Sequence, residues 1–302
     1  MNDLLVRAEG LRSGRTPFVV ATVVRVERPA SARPGDRAIV LPDGTVEGFV
    51  GGACAESTVR LQALRLLETG ESTLLRISAP SSEPARAPDE GVTAVANPCQ
   101  SGGTLEIFLE PVLPPVLVHV FGESPVARAL ASLGAVLGFE VHQTGDPAAT
   151  IDAGASAVVV ASHGRHEVEV LIAALRAGVP YVGLIASPRR GSAVVAALEV
   201  DEAARAAVRT PAGLDIGART APEIALSVLA EVIARRPRPA RPAARPVATT
   251  TAVDPVCGMS VAAGPATLQI EYAESVWHFC GPGCQQAFAD DPARYVGEHA
   301  AS

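Results

Sequence analysis

Between Arg235 and Pro246 the chain reads Arg-Arg-Pro-Arg-Pro-Ala-Arg-Pro-Ala-Ala-Arg-Pro, and no packed core can be threaded through such a run. Recurrent proline blocks helix and removes the amide donors a sheet needs, while arginine keeps the segment in water. Residues 235–252 are therefore expected to form an extended, semi-rigid linker with separate folded units on either side. A length of 302 residues fits two or three domains. Hydrophobic side chains make up 48% of the chain and charged ones 19%, enough apolar material to give each unit a core. The linker arginines could anchor an acidic partner. The chain has no lysine at all, however, and is rich in Ala, Pro and Gly, so a biased genome is the simpler source of Arg-Pro-Ala repeats.

The charge balance narrows the partners. With 25 basic against 32 acidic side chains the formal net charge is −7, which argues against nucleic acid, whose binders carry a basic excess. The longest apolar runs, 115–121 and 155–161, fall far short of a spanning helix, so no membrane span is expected. The first residues, Met-Asn-Asp-Leu-Leu-Val-Arg, lack the basic and apolar regions of a secretion signal, so a cytoplasmic location is expected. Five cysteines, an odd number spread over a long chain, fit thiols or metal ligands better than a disulfide framework.

Apolar patterning gives the organisation. Residues 18–26 and 38–41 are expected as strands with a Pro-Asp-Gly-Thr turn next to them, and 55–68 as a helix with Val59, Leu61, Leu64 and Leu67 at helical spacing. A Ser/Pro/Ala-rich surface loop is expected over 78–91 and a strand over 105–109. The prolines at 111–115 mark a weaker boundary. Beyond it, strands at 116–121, 140–143, 157–161 and 181–185 alternate with helices at 125–137 and 167–177, the signature of a parallel sheet covered by helices. A last helix runs from about 222 to 234. Residues 253–295 form a unit too small to rest comfortably on its core alone.

Three places carry candidate chemistry. Gly51-Gly52-Ala53-Cys54-Ala55-Glu56 sets a thiol between a glycine turn and a helix start, where the helix N-terminus favours thiolate and glycine admits a phosphate or pterin to the backbone. Cys99 sits in a second glycine-rich stretch, Pro98-Cys99-Gln100-Ser101-Gly102-Gly103. Either thiol could equally be a small buried hydrophobe. In Gly122-Glu123-Ser124-Pro125-Val126-Ala127, Ser124 replaces the middle glycine of a dinucleotide fingerprint, and Gly145 stands where the ribose-binding acid would fall, with Asp146 one step late. The turn suits a Rossmann scaffold better than an NAD(P) site. His163 and His166 follow the 157–161 strand as polar loop residues and make a poor metal site by themselves. Finally, Cys257 precedes Cys280-Gly-Pro-Gly-Cys284 by about two dozen residues. These three thiols can converge on one metal, whose binding would supply folding energy to a small unit. They could otherwise be buried or reactive thiols, and His278 is equally readable as a core residue.

Gly-Gly-Ala-Cys-Ala-Glu (51–56), Pro-Cys-Gln-Ser-Gly-Gly-Thr-Leu-Glu-Ile-Phe-Leu-Glu-Pro (98–111), Tyr-Val-Gly-Leu-Ile-Ala-Ser (181–187) and the stretch 210–231 resemble the xanthine dehydrogenase accessory factor family, XdhC/CoxI. Residues 254–259 and 277–295 resemble the YHS domain. The resemblance implies an α/β fold: an N-terminal XdhC/CoxI-type domain over 1–112, a Rossmann-like parallel-sheet domain over 113–234, and a small metal-binding YHS domain over 253–297. It implies a maturation chaperone that binds molybdenum cofactor (molybdopterin) and delivers it, during or after sulfuration, to the apo-form of a molybdenum hydroxylase of the xanthine or carbon monoxide dehydrogenase type. A sulfurtransferase would be a further partner and a homodimer the expected assembly. The implied cofactor-binding residues are Gly51, Gly52, Cys54, Glu56, Cys99, Gly102, Gly103, Gly122, Ser124 and His163, His163 because the family's equivalent loop carries a histidine. The implied metal ligands are Cys257, Cys280 and Cys284, a thiolate set suited to zinc or copper(I). The sequence departs from the family's Gly-Gly-Gly-Cys at Ala53, and from its Gly-Ser-Ala-Pro in the residues before it. Two rival readings stand beside this one: an NAD(P)-dependent oxidoreductase, and a metal sensor or metal-transfer protein acting through the YHS unit.

Overall fold

The computed structural model describes residues 2–78, 91–96, 103–152, 154–235 and 250–299. Most of the loop expected over 78–91, most of the 235–252 linker, Cys99 and Gly102 lie outside them.

The chain opens with helix α1 (Asn2–Ser13), followed by strands β1 (Phe18–Glu27), β2 (Arg37–Val40) and β3 (Val46–Gly48). Helix α2 (Ala53–Thr69) comes next, then β4 (Thr73–Ser78), β5 (Val92–Ala96) and β6 (Thr104–Val112). The six strands form one sheet in the order β3-β2-β1-β6-β4-β5, antiparallel except where β4 meets β5. The Pro42–Thr45 turn joins β2 to β3, Leu41 N–H donating to the Thr45 carbonyl at 2.9 Å. Successive residues of β1 serve opposite faces, as a strand requires. Val19, Ala21 and Val23 pack with Val59 and Ala63 of α2, while Phe18 and Val20 join Leu4, Ala8 and Leu11 of α1.

Residues 115–238 form a compact unit of their own. Its elements are β7 (Leu117–Phe121), α3 (Pro125–Val136), β8 (Glu140–Thr144), β9 (Ala157–Val160), α4 (Glu167–Arg176), β10 (Tyr181–Leu184), α5 (Pro188–Ala196), α6 (Glu202–Ala207), β11 (Val208–Arg209) and α7 (Ala221–Arg235). The strands are all parallel, in the order β11-β10-β9-β7-β8. The central strands β7, β9 and β10 are buried on both faces and apolar apart from His119 of β7, as in doubly wound sheets. One core packs Val126 and Leu130 of α3 with Val228 and Val232 of α7; the other packs Val170 and Leu171 of α4 with Val158 and Val182. The alternation expected between 116 and 185 is observed, element for element.

The C-terminal segment adds β12 (Thr251–Val253), β13 (Ser260–Ala262), β14 (Leu268–Tyr272), β15 (Ser275–Phe279), α8 (Pro282–Asp290) and α9 (Pro292–His299). Two short antiparallel hairpins, β12-β13 and β14-β15, carry an aromatic core around Phe288, which meets Tyr272, Trp277, Phe279 and Tyr295. This segment belongs to the same compact unit as residues 1–114. Helix α2 makes the junction. It turns Ala55, Val59 and Ala63 to the sheet, while Arg60, Leu64, Leu67 and Glu68 line a cleft of about 390 Å³ with Ala262–Pro265 and Thr267 of the C-terminal segment.

Candidate functional site

The thiols of the C-terminal segment are assembled by a backbone device centred on Asp254, which is fully buried. Its Oδ1 accepts the Val256 amide at 2.9 Å and its Oδ2 the Cys280 amide at 2.8 Å, tying the Cys257 turn to the end of β15. Gly258 closes that turn with a φ of +74°, its amide bonded to the Asp254 carbonyl. Cys284 is brought in by the first turn of α8, which starts at Pro282 behind the N-cap Gly281. The result places Cys257 Sγ 3.7 Å from Cys280 Sγ, and Cys280 Sγ 3.6 Å from Cys284 Sγ. The Cys280 S–H draws the Cys257 thiol down to about 7 by hydrogen-bonding its thiolate, the bond that raises Cys280 itself. Burial pushes the Cys284 thiol up to about 12.

Sulfurs about 2.3 Å from a tetrahedral zinc stand roughly 3.8 Å apart, so this spacing fits a thiolate-bound metal. The chemistry of the donor set suits zinc or copper(I). His278 lies outside the ligand cluster, and its buried Nδ1 has no partner among the described residues.

The glycine turn before α2 has the form the sequence suggests. Gly51 takes a φ of +139°, and Gly52 is the N-cap, with no side-chain oxygen to offer the first-turn amides. Cys54, in that first turn, is half-buried and packs against the cluster of Met259, Val261 and Cys280. Gly281 comes so close to Ala53 that a Cβ on it would stand 3.0 Å from the Ala53 Cβ. Glu56 bonds Arg60 at 2.8 Å, and Arg60 also donates to the Gly44 carbonyl. Gly103 abuts the backbone of Glu27 and Pro29, where any side chain would collide with the Pro29 carbonyl.

In the parallel-sheet unit, the chain crosses from β8 on one side of β7 to β9 on the other, leaving a crevice at the carboxyl ends where such folds bind ligands. A cleft of about 410 Å³ lies there, lined by Gly122, Glu123, Gly145, Asp146, Ser162, Arg165 and His166 among others. Gly122 has a φ of +127°, and a side chain on it would strike the Ala161 carbonyl. Ser124 is the N-cap of α3, its Oγ accepting the Ala127 amide at 3.1 Å, and Pro125 has no amide to give. Two of the donors a pyrophosphate would use are thus withdrawn. His163 is exposed, with a φ of +55°, on the loop that carries Arg165 and His166 into the cleft. Buried Glu167 fixes this loop by accepting the Gly164 amide at 2.8 Å and Arg190 at 2.6 Å. Arg165 and Glu167 were not singled out by the sequence; an acid opening a helix straight after a Gly-Arg-His loop was the available signal.

A doubly wound domain following a mixed sheet and followed by a thiol-bearing module defines the class of protein, and the comparisons resolve it. The XdhC Rossmann domain matches residues 118–232, the XdhC and CoxI family residues 11–78, and the YHS domain residues 252–299. The chain belongs to the XdhC/CoxI family and carries a C-terminal YHS domain. It is 28% identical over 275 residues to the molybdenum cofactor insertion chaperone PaoD of Escherichia coli (strain K12), covering 76% of this chain and 86% of PaoD. It is 26% identical over 259 residues to the uncharacterized protein YqeB of the same organism, covering 76% of this chain but only 46% of YqeB, less than half of that protein's length. A solved structure described as a xanthine dehydrogenase from Bacillus halodurans matches over 79% of this chain and 98% of its own, at 16% identity and a TM-score of 0.38. No helix among the described residues is long and apolar enough to cross a membrane.

Proposed function

We propose that this protein is a maturation factor that binds molybdenum cofactor and inserts it into a molybdenum hydroxylase. The observation that carries the reading is its similarity to the insertion chaperone PaoD over 76% of this chain, backed by both XdhC family matches. The N-terminus of α2 suits the task chemically: its positive dipole end, the Gly51-Gly52 approach and the Cys54 thiol offer an anion site beside a soft ligand. Bound there, the cofactor would supply the molybdenum centre; the chain supplies amides, a thiol and shelter from water. Cys99, in the second glycine-rich stretch, is the companion thiol of this reading. The cleft at the end of β7 is, within its own unit, a separate candidate place for a ligand or for the client enzyme. Sulfuration before delivery, a sulfurtransferase partner and a homodimeric assembly belong to the same proposal.

Protein purified from cells that make molybdenum cofactor is expected to carry molybdenum and pterin in near-equal amounts, read by inductively coupled plasma mass spectrometry and pterin fluorescence. Cys54→Ala and Cys99→Ala are each expected to lose most of both. Wild-type protein without either would sink the reading. A metal-transfer role for the YHS unit is the second reading, favoured by the tetrahedral spacing of its sulfurs. Zinc or copper alone, lost with residues 253–302, would point to it.

A further inference from the structure

Three YHS sulfurs leave one position of a tetrahedral metal site to be filled. Asp254 is the nearest carboxylate, its oxygen lying within 4.8 Å of the sulfurs. Both of its oxygens, however, are committed to the Val256 and Cys280 amides, the bonds that hold Cys257 and Cys280 in position. Asp254 therefore reads as the residue that orients the ligands. A further thiol packed against this cluster is Cys54, from a distant part of the sequence. It packs on the cluster of Met259, Val261 and Cys280 together with Cys257 and Cys284. The packing is not incidental to one side chain. The α2 stripe of Arg60, Leu64 and Leu67 lies along the same segment, and Gly281, between two of the YHS thiols, approaches Ala53 so closely that a Cβ there would stand 3.0 Å from the Ala53 Cβ.

We propose that Cys54 is the fourth ligand of the YHS metal site, so that one ion bridges the N-terminus of α2 and the C-terminal domain. Binding deprotonates the thiols, their protons passing to solvent, and needs no oxidant or reductant. Cys54 stands outside the group of ligand atoms that already lie within 4.8 Å of one another, so its side chain must turn for its sulfur to join them. The consequence for activity rests on the proposed function above: a thiol ligating this metal is withheld from the molybdenum cofactor, so metal and cofactor compete for Cys54.

The test is differential alkylation of the full-length protein, mapped by peptide mass spectrometry with and without added zinc, alongside zinc affinity by chelator competition. Zinc is expected to slow alkylation of Cys54 in step with Cys257, Cys280 and Cys284. Cys54→Ala is expected to weaken zinc binding at least about tenfold, since loss of outer-shell groups alone costs roughly 10–100-fold. Protection of the three YHS thiols with Cys54 unchanged, and undiminished affinity in Cys54→Ala, would overturn the assignment and return the fourth position to Asp254 or water. Protection of none would overturn it together with the metal site. Neither result touches the cofactor reading, which the molybdenum and pterin measurement decides separately.

Discussion

Glu231 is a charged group with only 6% of its surface exposed, and it stays charged because donors surround it. Its Oε2 accepts the Tyr181 hydroxyl and the Gly213 amide, each at 2.8 Å, and its Oε1 accepts Arg235 at 3.0 Å. Burial by itself would raise its pKa, but the Tyr181, Gly213 and Arg235 hydrogen bonds outweigh burial and hold it below the ordinary carboxylate value. The same contact, after burial, raises the Tyr181 phenol. These bonds join the two stretches of the second domain, 181–187 and 210–231, that carry its family resemblance. Tyr181→Phe is expected to destabilise the protein by about 1.5–3 kcal/mol in urea unfolding at pH 7, the worth of a hydrogen bond to a charged group. A lowered carboxylate pKa stabilises above the unfolded value, about 4.3, and that contribution is lost as pH falls through the folded value. The gap between wild type and Tyr181→Phe should therefore narrow below about pH 4. A gap that holds constant into acid would mean that Glu231 is not the charged partner.

At the scale of elements, α2 is pulled between stability and function at its N-cap. Gly52 has φ −69° and ψ 174°, an extended conformation any residue can adopt, and a Cβ there would find only Ser31 Oγ, at 4.0 Å. Aspartate, a better N-cap than glycine by a few tenths of a kcal/mol, fits the backbone without strain. Gly52→Asp is expected to leave the protein as stable or slightly more so by thermal unfolding, yet to cut co-purified pterin severely, because its carboxylate occupies the anion site. Pterin retained at the wild-type level would remove the α2 amides from the cofactor site. The helix itself was legible in the sequence, since Val59, Leu61, Leu64 and Leu67 repeat at helical spacing. What could not be read was that one face meets the sheet and another the C-terminal domain: spacing reports apolar stripes, not their partners. Strand β4 escaped notice for a related reason. Thr73–Ser78 alternates inward Thr, Leu and Ile with half-buried residues, and three polar members in six hide the period that pairing with β6 makes plain. The Rossmann-like half was read more fully because its central strands are short, mostly apolar runs flanked by helices, a local pattern that leaves little to tertiary context.

At the scale of the whole molecule, the spacing of Cys257, Cys280 and Cys284 announces their convergence, but nothing local could announce that Cys54 lies against them. That juxtaposition comes from returning the chain, after the parallel-sheet unit, to the unit where it began. The return has an energetic logic. The C-terminal hairpins are short, and their buried side chains are few beyond Met259, Val261, Phe279 and Phe288, so this segment depends on α2 and on its thiol site for what its own core cannot supply. Stripping metal with a thiol-competitive chelator is therefore expected to raise amide hydrogen exchange across β12–β15 and α8, and with them across the first turns of α2. The amides of β7, β9 and β10, whose cores involve no thiol, should keep their protection. If exchange rises in the C-terminal segment while α2 is untouched, the domain is held to the helix by apolar packing and not by the metal. If both respond together, the thiol site is the clasp that holds the C-terminal segment to the first turns of α2.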